Sequence, residues 1–186
     1  MASVIKLTVA DLEALPESNG KRYELIGGEL HVSTQPHWFH QRTCGLFFAA
    51  LNVWNERTAL GVVNLAPGVI FSEEDAVAPD VVWISNERLD VVLDQEKGKV
   101  YLAPDLVIEV LSPGSENEKR DKRLKLQLYS QRGVKEYWIA DWRARTMEVY
   151  RRVDASLQLH STLGPEDVLT SPLLPGFSVA IESLFR

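Results

Sequence analysis

The chain has 186 residues, 45% hydrophobic and 25% charged, an ordinary composition for one soluble globular domain with a real core. A net charge of −6 argues against a generic nucleic-acid binder, and no apolar run is long enough to span a bilayer. The lone cysteine, Cys44, excludes an intramolecular disulfide framework and a cysteine-based zinc cluster. The first residues carry no continuous apolar signal region, which sets the expectation of a cytoplasmic protein without a membrane partner. Charge is uneven: residues 115–135 hold seven Lys/Arg against three acids, a local excess of four positive charges that could meet phosphates or simply be a solvated helix face.

In chain order, Thr8 to Leu15 predicts a short helix with Thr8 as N-cap and Asp11 at its third position. In "RYELIGGELHVS", two β-prone runs flank Gly27-Gly28, a hairpin signal. From Pro36 to Arg57 the residues Leu46, Phe47, Ala50, Leu51 and Trp54 recur at helical spacing. "VVNLAPGVIFS" reads as a strand broken at Pro67-Gly68. "DVVWIS" and "DLVIEVLS" read as buried strands, with a polar, partly helical segment from Asn86 to Gly98 between them. Lys119 to Arg132 reads as an amphipathic helix stopped by Gly133, with Leu124 and Leu128 as its packed stripe and Lys125 at the edge. "EYWIAD" and "TMEVYRRV" form a hairpin, "LQLHSTL" a further strand, and "SPLLPGFSVAIESLF" closes the chain. The expectation is α/β: a single domain over residues 1–186, with a short preamble at 1–20 and a mixed sheet of at least six strands flanked by helices.

Two near-identical stretches frame the chemistry. "APDVVWIS" begins at Ala78 and "APDLVIEVLSPGS" at Ala103, and only the second carries an acid, Glu109, inside its apolar run. An unpaired carboxylate buried there would cost several kcal/mol, so a cation, a hydrogen-bond network or a metal must offset it. A buried Glu–Arg pair is one solution and a metal ligand another. Asp105 lies on the same strand, about 13 Å from Glu109, too far to grip one ion with it. It reads instead as a strand-start or turn acceptor. Asp80 opens the neighbouring buried strand and can approach Glu109 if the strands pair. Two carboxylates with open coordination positions suit Mg2+ or Mn2+. Lys125, one turn after Asp121 and one before Tyr129, can reach the sheet end as the basic partner; it could equally be an exposed lysine paired with Asp121.

These pieces resemble the PD-(D/E)xK nuclease superfamily, and more specifically the Uma-two family of restriction-endonuclease-like proteins. The matching stretches are "YELIGGEL", "HQR", "APDVVWIS", "APDLVIEVLSPGS", "RDKRLKLQLYSQRGVKEYWIAD" and "LLPGFSV", in order over most of the chain. The resemblance implies a restriction-endonuclease-like mixed sheet flanked by helices, and a metal-dependent endonuclease that hydrolyses nucleic-acid phosphodiester bonds, with DNA as partner and a homodimer as assembly. It implies Asp80 and Glu109 as metal ligands for Mg2+ or Mn2+, Glu24 as an additional acid, and Lys125 as the catalytic lysine moved to the helix, since Leu111 stands where the superfamily lysine usually does. His40, Lys119, Lys122 and Arg123 are candidate substrate contacts. Trp138 and Trp142 are the apolar positions available for a dimer interface. A non-catalytic binding module that keeps the fold is the rival reading.

Overall fold

The computed structural model describes residues 5–16 and 20–186; part of the expected preamble lies outside the described residues. Helix α1 (Val9–Glu13) opens on a reciprocal cap: the Thr8 side chain accepts from the Asp11 amide and the Asp11 carboxylate from the Thr8 amide. Strands β1 (Arg22–Ile26) and β2 (Glu29–Ser33) form the expected hairpin, with Gly27 and Gly28 at φ of 60° and 78°, the double left-handed turn that matches strand twist. Helix α2 (Trp38–Thr58) buries Cys44, Phe47, Leu51 and Trp54 along one face.

Strand β3 (Gly61–Leu65) ends at Ala66, whose φ of 46° turns the chain before Pro67 and sends β4 (Val69–Ser72) into a different sheet. β5 (Asp75–Val77) and β6 (Val81–Ser85) follow, then α3 (Asn86–Val92), the short β7 (Leu93–Asp94) and β8 (Lys99–Val100), and β9 (Leu106–Val110). Beside a two-stranded pair near the end of the chain, the single mixed sheet expected from the sequence is two six-stranded sheets: β2-β1-β5-β4-β8-β7, and one that begins β3-β6-β9. The latter ends with β10 (Glu136–Asp141), β11 (Thr146–Val153) and β12 (Ser156–Leu163), the first two a hairpin as expected. β13 (Val168–Thr170), β14 (Ser178–Ala180) and a 3-10 turn at Ile181–Phe185 close the chain. No helix among the described residues is long and apolar enough to cross a membrane.

β9 and β10 are parallel, so the segment between them must cross over. The expected uninterrupted helix over Lys119–Arg132 is in fact α4 (Ser115–Lys119), a π-helical stretch at Arg120–Lys125 and α5 (Leu126–Arg132), capped by Gly133 at φ 93°. The central sheet is apolar on both faces: Leu106 and Ile108 join the core under α2, whereas Val107 and Leu111 join the one under α5 with Tyr129 and Tyr137. By that alternation Glu109 faces α5. Trp138, expected as an interface residue, is fully buried in the core under α2, stacks on Phe177 and donates to Glu136 Oε2 at 2.8 Å.

Asp105 is the structural acid expected of it. Fully buried, it accepts from the Ser85 amide at 2.8 Å, Ser85 Oγ at 3.0 Å and Arg88 Nη1 at 2.8 Å, and pairs with Lys135 Nζ at 2.7 Å. Asp105→Ala should therefore lower stability by about 3 kcal/mol, because it leaves buried donors unpaired. Lys135→Ala, removing a half-exposed partner, should cost less than about 1 kcal/mol. Urea unfolding of the two variants checks the order; equal losses would overturn this role for Asp105.

Candidate active site

Strands β6 and β9 run antiparallel with Val81 opposite Ile108, so Asp80 and Glu109 extend the same register at one end of the ladder. The Asp80 carboxylate is stitched to β9 itself: Oδ2 accepts the Val110 amide at 2.9 Å. The same oxygen lies 3.3 Å from His40 Nε2, and Oδ1 accepts from Arg22 Nη1 at 3.1 Å. An acceptor-only carboxylate requires the proton on His40 Nε2, which leaves Nδ1 facing the Cys44 sulfur at 3.6 Å.

Glu109 Oε1 accepts from Lys125 Nζ at 2.9 Å and from the Tyr129 hydroxyl at 2.8 Å. The Lys125 ammonium also lies 3.0 Å from Glu24 Oε1 and 3.7 Å from Asp121 Oδ1, and it is 1% exposed. Lys125 is thus at the centre of the buried face, not its edge, while Leu124 is 39% exposed. The π-helical stretch accounts for the difference: its wider turn aligns residues four and five apart, so Asp121, Lys125 and Tyr129 stack inward. The same Glu24 Oε1 also accepts the Ala78 amide at 2.9 Å.

Burial raises the Asp80 carboxyl, but the His40 hydrogen bond and the charges of His40, Arg22 and Lys125 outweigh it and hold the group at about 2. Glu109 goes the other way. Burial dominates, Lys125 opposes it, and Asp80, Asp121 and Glu24 add repulsion, so its carboxyl is pushed up to about 8. Burial disfavours the Lys125 charge, yet Glu109, Glu24 and Asp121 more than compensate and raise it above the ordinary lysine value. For Glu24, the Lys125 charge, the Ala78 amide and Arg120 overcome burial and lower the carboxyl.

The resulting pocket of about 180 Å3 is lined by Arg22, Glu24, His40, Asp80, Glu109, Arg120, Asp121 and Lys125, and also by Gly20, Lys21 and residues 33–36. Five residues singled out from sequence, Asp80, Glu109, Glu24, Lys125 and His40, converge there. Lys119, Lys122 and Arg123 do not line it, and Lys122 is held by Glu148 at 2.6 Å. Sequence reading missed Arg22 and Arg120. Arg22 stands two residues before Glu24 on β1, a same-face spacing that could have flagged it. Arg120 had no such signal, because its direction depends on the π-helical stretch. His40, Cys44 and Asp80 also place one ligand-type atom each within 4.8 Å of one another.

The family profile Uma2, described as "Putative restriction endonuclease", matches residues 9–182 of this chain. The chain belongs to the Uma2 family. Among solved structures, this Uma2 chain is similar to "a putative nuclease belonging to DUF820 from Anabaena variabilis ATCC 29413", with a TM-score of 0.76 and 19% identity over 96% of this chain and 97% of that one, a likeness of fold. It is similar at a TM-score of 0.39 and 15% identity to the type IIG restriction endonuclease BpuSI, over 76% of this chain and 15% of that one. No curated protein matches.

The opposed shifts of the two acids have a consequence for this Uma2 fold. Unfolded, Glu109 titrates near the ordinary carboxylate value; folded, it holds its proton up to about 8. Between those values the folded state binds the extra proton, so stability falls as pH rises, by at most about 1.4 kcal/mol per unit. Asp80, held at about 2, contributes stability that is lost only as pH falls below the ordinary aspartate range. Thermal melts in chelator from about pH 5 to about pH 8 should show a decline that Glu109→Gln flattens. A parent melting temperature constant over that window would overturn the protonated state of Glu109.

Proposed function

We propose that this chain is a divalent-metal-dependent nuclease hydrolysing nucleic-acid phosphodiester bonds, with DNA as the substrate. The observation that carries the reading is the convergence of Asp80, Glu109 and Lys125, from two strands and a crossover helix, in one pocket that also holds Arg22 and Arg120. In the cell the reading is of a cytoplasmic enzyme, consistent with a single free, buried cysteine. Cutting both strands of a duplex would call for two such pockets, which a homodimer would provide.

The donor set fits Mg2+ or Mn2+. Asp80 is an ionised oxygen ligand, and Glu109 is a buried carboxyl whose negative charge lacks sufficient compensation. Both contacts to Glu109 fall on Oε1, so Oε2 is the oxygen to offer an ion. Glu24 is a third acid, already engaged by Lys125. The neighbouring His40, Cys44 and Asp80 group would suit a softer ion, but burial raises the Cys44 thiol and keeps its proton on, which favours the oxygen set.

When bound, Mg2+ or Mn2+ would supply charge to the phosphoryl oxygens and acidify a water. The protein's own part is positioning. Lys125, held between Glu109 and Glu24, presents an ammonium to the water or to charge developing on the phosphate. Arg22 and Arg120 would hold the non-bridging oxygens, and His40 fixes the direction of Asp80. The water oxygen would bond to phosphorus as the bond to the 3′ oxygen breaks; the water gives up one proton and the 3′ oxygen takes one up, leaving a 3′ hydroxyl and a 5′-phosphate.

One observation favours the non-catalytic module: Lys125 already pairs with both Glu109 and Glu24, at 2.9 Å and 3.0 Å, without an ion. Titration with Mn2+ and a cleavage assay separate the two readings. Asp80→Asn and Glu109→Gln should each abolish Mn2+ binding. Lys125→Ala should keep it and lower cleavage about 100-fold, the scale of one positioned electrostatic or acid–base group. Lys122→Ala should cut like the parent. A parent that neither binds Mn2+ nor cuts would leave the module reading in place.

A further inference from the structure

Next to the pocket the surface carries a group of aromatic rings, of which Trp142 is half-buried against the core under α2. Trp38 is 75% exposed and Phe39 49% exposed at the start of α2. His37, the residue capping α2, is exposed as well; its Nδ1 accepts the Phe39 amide at 3.2 Å. Its ring stacks on Trp142 with centroids 4.8 Å apart and planes 12° from parallel. Phe39 completes the group, 5.6 Å from Trp142 at 29° and 5.7 Å from His37 at 26°. Three rings from two separate elements thus share nearly one orientation, whereas aromatic pairs elsewhere in the chain, such as Trp54 with Phe177 at 85°, also meet edge to face.

The platform is tied to both halves of the candidate site. Trp142 Nε1 donates to the carbonyl of Leu111, the residue just past the end of β9 and two beyond Glu109, at 3.1 Å. His37 stands one helical turn before His40, which contacts Asp80. The neighbours of these anchors, Pro36 and Ser112, line the pocket, together with Lys21, Arg22 and Arg120 on its wall. Flat rings beside a pocket whose lining includes Lys21, Arg22 and Arg120 can take nucleobases on one side and their phosphates on the other. A base within a duplex has both faces covered by its neighbours and its edge paired, so only an unpaired base can lie on such a platform.

We propose that His37, Phe39 and Trp142 form a base-stacking platform, and that the pocket's substrate is a single-stranded stretch of nucleic acid whose unpaired base lies on these rings while its phosphate enters beside Arg22 and Arg120. This rests on the nuclease reading for the identity of the pocket, but its test requires no cleavage. A single strand needs one copy of the chain, not two.

The test measures fluorescence anisotropy of a labelled single-stranded DNA 16-mer, and of the same sequence as a blunt duplex, with the full chain in chelator. The single strand should bind about tenfold tighter than the duplex. Phe39→Leu keeps an apolar side chain but removes the ring and should weaken single-strand binding about tenfold, and Phe39→Trp should restore it. His37→Asn keeps a good helix cap, removes the second ring and should weaken binding in the same direction. Duplex binding should not move in any of these variants. Equal affinity for duplex and single strand, or parent-like single-strand binding by both Phe39→Leu and His37→Asn, would overturn the platform. So would variants that convert a sedimenting dimer to monomer without changing oligonucleotide affinity, which would make this face a self-association surface. A parent that binds single strands through these rings yet cuts nothing with Mg2+ or Mn2+ would support the platform and overturn the nuclease reading alone.

Discussion

The Lys125 ammonium is buried at 1% exposure and lies within 3.7 Å of three carboxylates. Removing an ammonium from water costs several kcal/mol, and an uncompensated one would not be tolerated in this interior. Glu24 arrives from the hairpin of the outer sheet, Glu109 from the middle of the central sheet, and Asp121 from the crossover. One cation therefore ties together three elements distant in sequence. The cluster also has to remain imbalanced: four acids with Asp80 face a limited set of cations, and Glu109, buried and repelled by Asp80, Asp121 and Glu24, gives way by holding its proton.

That imbalance separates a binding site from a structural ion pair. Asp105 is equally buried, yet Arg88 and Lys135 meet it from partly open positions, Ser85 satisfies a further lone pair, and its carboxyl is lowered. Glu109 has a buried lysine that it shares with two other acids. The two acids stand four residues apart in one stretch of chain, and what differs is the supply of donors around each. A site poised to accept a dication is one in which the protein has fallen short of neutralising its own carboxylates.

The π-helical stretch at Arg120–Lys125 sets the phase of the lysine. With ordinary helical spacing Leu124 would share the inward stripe; with the wider turn it is exposed, and Asp121 and Lys125 point in, joined one turn later by Tyr129. Such bulges are costly in hydrogen bonding and recur where a side chain must be aimed. Here the carbonyl of Asp121, inside the bulge, is taken up by the Tyr137 hydroxyl at 2.9 Å, so the irregularity is anchored to the central sheet.

From the sequence alone, the strands of the central sheet were legible as apolar runs, the hairpin as Gly27-Gly28, and the end of the crossover helix as Gly133, because each is dictated by local backbone freedom or by the period of burial. Glu109 was legible as an anomaly, an acid where desolvation should forbid one, and Asp80 as the acid on the adjacent strand. What was not legible was everything that depends on which faces meet. The division into two sheets turned on a left-handed Ala66, a conformation that alanine does not advertise. Arg120 and the inward Lys125 depended on a helix phase that only packing against Glu109 and Glu24 selects. The platform of His37, Phe39 and Trp142 joins residues about a hundred positions apart in sequence. The sequence determined which residues could not face water unaided and where the backbone had to turn. The tertiary structure decided which charges share a pocket, because Coulomb energy and desolvation depend on distances in space that no spacing along the chain encodes.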